Sequence, residues 1–218
     1  MRIFSTVSRL VAAGALLASA GCLQKQITHT LYLSPAGDVV WSTLEKDVRS
    51  DEGDGSRRAA EENQYVASVA GGQHSIAAAL AALGGNPLGT TWVRRERPYS
   101  VLIEARFAGI RELAEAILWD AGLSGDAAIE TAGCETRLTV RVNVTDSGTS
   151  EGDTATSALV EELDRYRIVM TEGRFVFADG FVLDGDGVVA TPDKGKEPRD
   201  GLLTLVLVWS TCPPRRAS

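Results

Sequence analysis

The sequence predicts an α+β protein in which helices pack on one face of an antiparallel β-sheet. Apolar and polar residues alternate along several segments, most regularly from Arg137 to Thr145, as is typical of strands with one buried face. Other segments carry apolar residues at helical spacing, as Ile110 to Ala121 does. A block of two strands followed by a helix occurs three times, and a β-meander is predicted to end the chain.

The first block begins with strand-like alternation over residues 28–33, where we expect His29 on the surface of the sheet. Residues 34–38 include proline and glycine and predict a turn, after which residues 39–44 form the return strand. Ser56 is expected to cap the helix that follows, because its hydroxyl can accept a hydrogen bond from the first turn.

Two helices are predicted to complete this block. The first runs from Arg57 towards Ala70, and Glu61 and Glu62 are placed near its start, where carboxylates favour the positive end of the helix dipole. The second, Ser75 to Leu83, is apolar on nearly every side, and we expect such a helix to be buried.

The remaining elements continue the same order. The second block is predicted to contain strands 90–97 and 99–107 and helix 110–121, and the third contains strands 127–131 and 137–145 and a helix from Thr154 or Thr156 through Tyr166. The meander is predicted to contain strands 167–170, 174–178, 181–183, 188–190 and 202–209. The last of these is apolar on both faces, which favours a central strand covered on each side.

The N-terminus has the three parts of a secretory signal peptide. Arg2 and Arg9 supply positive charge, and residues 1–21 contain no acid. The apolar run from Leu10 to Ala20 comes next and is too short to cross a bilayer, which takes about 20 residues. Small residues then precede Cys22.

The stretch Leu16 to Cys22, Leu-Leu-Ala-Ser-Ala-Gly-Cys, resembles the lipobox of bacterial lipoproteins. Ala20, Gly21 and Cys22 match that motif, and Ser19 stands where the class prefers leucine. The resemblance implies that the Cys22 thiol carries a diacylglycerol, that the preceding peptide is removed, and that the new amine is acylated. The alternative is an ordinary signal peptide cut near Ala20, which leaves Cys22 as a plain cysteine.

These features predict the domain organisation and the location. Residues 1–21 form the signal peptide, 22–26 a lipidated tether, 27–212 a single α+β domain, and 213–218 a disordered tail. Acyl chains on Cys22 attach the protein to a membrane of the cell envelope. Leu23 follows the cysteine where inner-membrane lipoproteins tend to have aspartate, which implies an outer membrane, facing the periplasm, if the cell has two membranes.

Composition and charge limit the partners. The chain is 44 % hydrophobic and 23 % charged, as a folded globular protein is. Its net charge is −7, and loss of Arg2 and Arg9 with the signal peptide makes it −9. An acidic surface argues against nucleic acid as a partner and against a polybasic contact with anionic lipid, so the acyl chains are expected to anchor the protein.

Cysteine and histidine usage predicts no cofactor. Cys134 and Cys212 are an even pair in an oxidising compartment, so a disulfide between them is possible. Two unpaired thiols are the alternative, and the sequence does not decide between the two. The cysteines and the two histidines lack metal-ligand spacing, so no metal site is predicted.

Three motifs resemble functional sites. Asp184–Gly187 resembles the start of a calcium-binding loop, but Val188 stands at the next ligand position, so we expect a hairpin turn. The segment Arg94–Arg97 could meet an anionic group, yet its alternation favours a solvated strand. His74 precedes Ser75, but no acid is placed by the sequence to orient the ring, so no catalytic residue is assigned.

Three functions follow from these observations. The leading hypothesis is a non-catalytic, membrane-tethered module that binds an envelope protein or has a structural role. The alternative is a small-molecule or lipid binder, with a cavity lined by the Ser75–Leu83 helix and the Leu202–Trp209 strand. A cavity smaller than roughly 300 Å³ counts against this alternative. An enzyme is the third, and the scarcity of histidine gives it no support.

Overall fold

The computed structural model describes residues 23–120, 123–143 and 165–211. These residues form the strands β1 (Leu23–Leu33), β2 (Val39–Ser50), β3 (Asn86–Arg94), β4 (Tyr99–Phe107), β5 (Ser124–Ala132), β6 (Glu135–Asn143), β7 (Tyr166–Met170), β8 (Phe175–Asp179), β9 (Phe181–Leu183), β10 (Val189–Pro192) and β11 (Leu202–Ser210). The helices are α1 (Gly55–Ala70), α2 (Ser75–Ala82) and α3 (Ile110–Asp120). The mixed α+β class, with mainly antiparallel sheets, is confirmed.

The chain divides into two compact units, where the sequence predicts a single domain over residues 27–212. Among the described residues, 23–28 and 42–105 belong to the first unit, and 29–41 and 106–211 belong to the second. The long strands β1 and β2 contribute residues to each unit, which alternation along the chain does not reveal.

The first unit contains strands in the order β3-β4-β2-β1, together with α1 and α2. β1 begins at Leu23, so residues 23–26, predicted as part of a tether, are strand residues. Gln24 and Lys25 already donate side-chain hydrogen bonds to Asp51 and Glu45, which holds this part of the chain against β2.

Helix α1 is capped by Asp54, two residues earlier than the predicted cap Ser56. The carboxylate of Asp54 accepts hydrogen bonds from the backbone N–H groups of Ser56 and Arg57, each at 2.9 Å. A hydrogen bond from the Ser56 hydroxyl to the same carboxylate, together with these two backbone hydrogen bonds, lowers the pKa of Asp54. The cap must precede the first helical residue, Gly55, and Ser56 therefore lies inside the helix it was expected to cap.

Helix α2 is not the buried helix that its composition predicts. Of its eight residues only Leu80 is buried, and Ala78, Ala79 and Ala81 are exposed. An alanine methyl group removes little apolar area from water, so an alanine-rich helix does not need cover on every side. One leucine on one face is enough to attach α2 to the unit.

Strand β2 changes its alternation near its end. Thr43 and Glu45 are buried, and the next buried residues are Val48 and Ser50, so the inward positions shift by one. Asp47 lies in this interval with φ of 54°, in the left-handed region. An extra residue in a strand, as in a β-bulge, shifts the alternation by one position, so that Val48 and Ser50 face inward. Ser50 consequently faces α1, to which it is hydrogen-bonded.

The second unit contains strands in two sheets, with orders β1-β7-β10-β9 and β5-β6-β11-β8. β1 and β7 pair in parallel over His29–Leu33 and Tyr166–Met170. The predicted meander is wrong in its pairing, because the consecutive strands β7 and β8 lie in different sheets. Alternation shows which side chains face a core but not which strand lies next.

Strand β11 confirms the prediction of a central, covered strand. It lies between β6 and β8, and Val206 to Trp209 are buried. Leu138 and Val142 of the neighbouring β6 are buried too, as the alternation predicts. The Trp209 indole N–H donates to the carbonyl of Pro35 at 3.1 Å, so this fully buried ring keeps a hydrogen bond.

The threefold hairpin–helix plan is not confirmed. Its third helix was predicted from Thr154 or Thr156 through Tyr166, and residues 144–164 lie outside the described part. Tyr166 itself begins β7. Among the described residues, no helix is long and apolar enough to span a membrane.

Candidate functional site

A carboxylate lies at the centre of the first unit. Glu45 of β2 has no solvent-exposed area, although an ionised carboxylate is among the side chains least often buried without a partner. It occupies the inward position that follows Thr43 in the alternation of the strand. Because Glu45 is buried, the side chains that bind its carboxylate define the candidate site.

Three elements supply those partners. The Lys25 ammonium of β1 donates to Oε1 of Glu45 at 2.6 Å. The Tyr65 hydroxyl of α1 donates to Oε2 at 2.8 Å, and Nε2 of His74, directly before α2, lies 3.0 Å from the same oxygen. We name Lys25, Glu45, Tyr65 and His74 the Glu45 network. Within the described residues, no buried side-chain nitrogen or oxygen lacks a hydrogen-bond partner.

The electrostatics favour the ionised form of Glu45. Burial by itself would raise the pKa of Glu45, but the hydrogen bond from His74 and the charge of Lys25 outweigh burial and hold that pKa at about 2. Burial and the adjacent carboxylate raise the pKa of Tyr65 far above its usual range. The network therefore keeps a carboxylate, an ammonium and a neutral phenol together.

The hydrogen bonds of His74 define its tautomer. Its Nδ1 accepts a hydrogen bond from the backbone N–H of Ile76 at 3.3 Å, which caps α2. A nitrogen that accepts carries no hydrogen, so the ring proton is on Nε2 and is donated to Glu45. The imidazole thus joins the start of α2 to β2, and both of its nitrogens are occupied.

This arrangement does not form a nucleophile and base. A general base needs a lone pair that can take a proton from the reacting group, and both ring nitrogens of His74 are engaged. Ser75 is exposed, whereas His74 is buried. The geometry instead gives a fixed polar cross-link between β1, β2, α1 and the start of α2 in the first unit.

Sequence reasoning missed the acid that orients His74. Glu45 lies 29 residues earlier in the chain, and no local motif joins the two residues. One signal was present, because Glu45 continues the inward positions Val39, Trp41 and Thr43 of a strand. A carboxylate at an inward position of a strand indicates a buried polar partner elsewhere.

A second polar cluster lies at the end of β2. Oε1 of Glu62 accepts from the Ser50 backbone N–H at 3.1 Å and from Nε of Arg97 at 2.8 Å. Burial opposes ionisation of Glu62, but the Arg97 hydrogen bond lowers its pKa. Glu62 lies in the middle of α1, so its role is this contact and not the predicted interaction with the start of the helix.

His29 is buried in the second unit, not on the surface as predicted. Its ring stacks on Tyr166 with centroids 4.4 Å apart, and its Nδ1 accepts from the Trp41 indole N–H at 3.2 Å. The rings of Trp41 and Tyr166 cover the imidazole. Alternation along β1 alone does not reveal this cover.

The second unit also contains a cavity of about 130 Å³. Only apolar side chains line it, from α3 and from strands of both sheets of that unit, among them Leu31, Leu113, Leu138, Ile168 and Leu207. β11 contributes to the lining as the sequence predicts, but α2 belongs to the first unit and does not. The volume is well below the 300 Å³ or more of small-molecule sites.

The other predicted site residues have mixed outcomes. Cys22 and Cys212 lie outside the described residues, and Cys134 is disulfide-bonded. The backbone N–H of Thr211, next to Cys212, donates to the Cys134 carbonyl at 2.8 Å. The pairing of Cys134 with Cys212 stays a prediction.

The Asp184–Gly187 motif behaves as the sequence predicts, and the Arg94–Arg97 motif does so only in its exposure. Oδ1 of Asp184 accepts from the backbone N–H groups of Val188 and Val189, which closes a turn and confirms the hairpin interpretation. Arg94 to Arg97 are exposed as predicted, but β3 ends at Arg94, so Arg95 to Arg97 lie in the turn before β4 and not in the predicted strand. In the described part of the chain, no group of three or more histidine, cysteine, aspartate or glutamate side chains could hold a metal ion.

Comparison with known proteins gives little further information. No protein-family model matches the chain, and no curated protein matches its sequence. Among solved structures, the NMR structure of the folded domain of the Mycobacterium tuberculosis LppM protein is similar, at 12 % identity and a TM-score of 0.37. The similarity covers 91 % of this chain and 95 % of that one.

Proposed function

We propose that this protein is an exported lipoprotein, anchored to a membrane of the cell envelope by acyl chains on Cys22, with a folded part that acts as a non-catalytic interaction module. The observation that carries the proposal is the lipobox-like stretch Leu16 to Cys22, which directly follows the start of the apolar N-terminal run. Leu23, the residue after Cys22, is in β1.

The disulfide of Cys134 supports export. Disulfides persist in oxidising compartments and are rare in the cytosol, so a disulfide-bonded cysteine fits a chain that has left the cytosol. Leu23, in the place where inner-membrane lipoproteins tend to carry aspartate, supports the outer membrane in a cell that has two membranes.

The Glu45 network supports the non-catalytic assignment. Its four side chains satisfy one another or the backbone, and no nitrogen of His74 is free to act on a substrate. A cavity of about 130 Å³ counts against the small-molecule or lipid binder. An envelope protein is the partner we favour, because the proposed anchor keeps the folded part in the envelope. The acidic net charge argues against nucleic acid.

The intact mass of the membrane-associated protein tests the anchor. We expect wild-type protein to lack residues 1–21, to carry acyl mass on Cys22 and to partition with membranes. Cys22→Ala should lose both the acyl mass and the partitioning, whereas the matched variant Cys212→Ala should keep both. A wild-type mass equal to that of the plain cleaved chain would contradict the proposal.

The absence of catalysis needs a separate test. Purified protein is screened against general esterase, phosphatase and peptidase substrates, beside the variants His74→Gln and Glu45→Gln. We expect no turnover that depends on either side chain. Turnover by wild-type protein that is abolished in a correctly folded His74→Gln variant would overturn the non-catalytic assignment.

A further inference from the structure

No flexible linker separates the predicted anchor, Cys22, from the first unit, because the next residue, Leu23, is already in β1. Leu23 is in β1, Gln24 donates to Asp51 at 3.3 Å, and Lys25 donates to Glu45 at 2.6 Å. Adjacent Cα atoms are about 3.8 Å apart, so a group on residue 22 stays next to this end of the sheet. A flexible tether of several residues would allow many orientations, and this chain has none after Cys22.

The turn between β3 and β4 lies at the same end. The Arg97 guanidinium reaches the Ser50 carbonyl at 3.4 Å, and Ser50 is adjacent to Asp51, the partner of Gln24. The turn and the first residues of β1 therefore flank the end of β2. Both belong to the first unit.

This turn carries two arginines that are available for an external partner. Arg97 pairs with Glu62 at 2.8 Å. Arg94 and Arg95 are exposed and form no ion pair with any residue in the described ranges. Glu96 lies between Arg95 and Arg97, so the turn is not uniformly basic. The position of the turn near Leu23 therefore matters more than the net charge of the turn.

We propose that the end of the first unit formed by Leu23, Gln24, Asp51 and the turn Arg94–Pro98 rests on the phospholipid headgroups, with Arg94 and Arg95 directed at phosphate oxygens. The inference rests on the proposed lipidation of Cys22. Acyl chains in the bilayer hold residue 22 at the interface, and the rigid start of β1 then brings this end of the unit to the headgroups. Guanidinium groups match phosphate in geometry and charge.

The remaining charge of the protein favours the same orientation. With residues 1–21 removed, the formal net charge is −9, so most of the surface is repelled by anionic lipid. The same end also carries the exposed acids Asp51 and Glu96, so contact there depends on Arg94 and Arg95, which have no acidic partner in the described ranges, and not on the net charge of this end. The acyl chains supply the attachment, and the arginines supply the orientation.

Lipid quenching of a fluorophore at two positions of the lipidated full chain tests the orientation. Glu96→Cys places the label on the turn. The matched control Leu88→Cys places it on β3, about 20 Å by strand rise from the end of that strand at Arg94. Leu88 is 49 % exposed, so both positions accept a label. Vesicles contain phosphatidylethanolamine, phosphatidylglycerol and a headgroup spin-labelled lipid, and protein without the added cysteine gives the background.

We expect several-fold stronger quenching at position 96 than at position 88. Arg94→Ser with Arg95→Ser should reduce this ratio while the acyl mass on Cys22 is unchanged. Equal quenching, or stronger quenching at position 88, with acyl mass present would overturn the orientation and leave the anchor standing. Absence of acyl mass would overturn the anchor and the orientation with it. Unchanged melting temperatures establish that the labelled variants are folded.

Discussion

The two compact units fill their interiors in opposite ways. The first unit buries a carboxylate with no exposed area and surrounds it with an ammonium, a phenol and an imidazole. The second unit contains a cavity of about 130 Å³ with an entirely apolar lining. The two interiors are stabilised by different interactions, so the stability of the two units should respond differently to mutation.

A polar interior depends on fixed partners, whereas an apolar interior depends on volume. Removing one member of a buried hydrogen-bonded group leaves the others desolvated and unpaired, so the loss is large and cannot be relieved by an apolar ligand. Removing apolar volume leaves a cavity, which neighbouring side chains or a small apolar molecule can partly fill.

The largest expected effect is that of Glu45→Ala. It leaves Lys25 and His74 without their carboxylate, and we expect the free energy of unfolding to fall by about 3–5 kcal/mol. Urea denaturation measures the change, with Glu135→Ala as the control because Glu135 is exposed on a strand. A loss below about 1 kcal/mol, the range of an exposed ion pair, would show that the network is not desolvated.

Leu113→Ala tests the apolar interior in the second unit. Leu113 is 1 % exposed and lines the cavity, so truncation should lower the free energy of unfolding by about 3 kcal/mol. Benzene or xenon should restore part of this loss and none of the loss in Glu45→Ala. Equal recovery in the two variants would contradict the contrast between the interiors.

Acid should weaken the first unit through Glu45. The pKa of Glu45 is about 2 in the fold against 4.5 for a solvent-exposed glutamate, so the stabilisation is complete above pH 4.5 and is lost as pH falls through 2. The difference corresponds to about 3 kcal/mol. Glu45→Gln should remove this contribution, and the stability difference between wild type and variant should shrink between pH 4.5 and 2. A constant difference across that window would contradict the assignment.

The smallest expected effect is that of Arg97→Ala in the first unit. Arg97 pairs with the buried Glu62 but is itself about half exposed, so Arg97→Ala should lower the free energy of unfolding by about 1 kcal/mol. Arg95→Ala is the matched control on the same turn and should leave stability unchanged. Equal losses in the two variants would show that the Glu62 contact contributes nothing.

Periodicity was sufficient to predict the individual elements. The predicted strand 99–107 coincides with β4, and the predicted helix 110–121 matches α3 over all the residues that the structure describes there, Ile110–Asp120. Strand β4 and helix α3 each carry an apolar face through at least two periods of their own repeat, so the local sequence is enough to predict them. The central position of β11 was predictable for a related reason, since a strand that is apolar on both faces needs cover on both.

Pairing and burial across long separations were not predictable. The contact of Glu45 with His74 depends on how β2 meets the start of α2, and the placement of β7 and β8 in different sheets depends on the whole chain. The burial of His29 depends on the rings of Trp41 and Tyr166, which reach it from other strands. None of these properties has a signature within a few residues.

The central claim is that the Glu45 network is a structural cross-link and not a catalytic pair. Nitrogen-15 NMR of the imidazoles tests it most directly at neutral pH, with His74→Gln to assign the two histidines of the chain. We expect His74 as the neutral tautomer with hydrogen on Nε2 alone and a bonded Nδ1, as its contacts with Glu45 and Ile76 require. A ring with hydrogen on Nδ1, or in exchange between tautomers, would contradict the account.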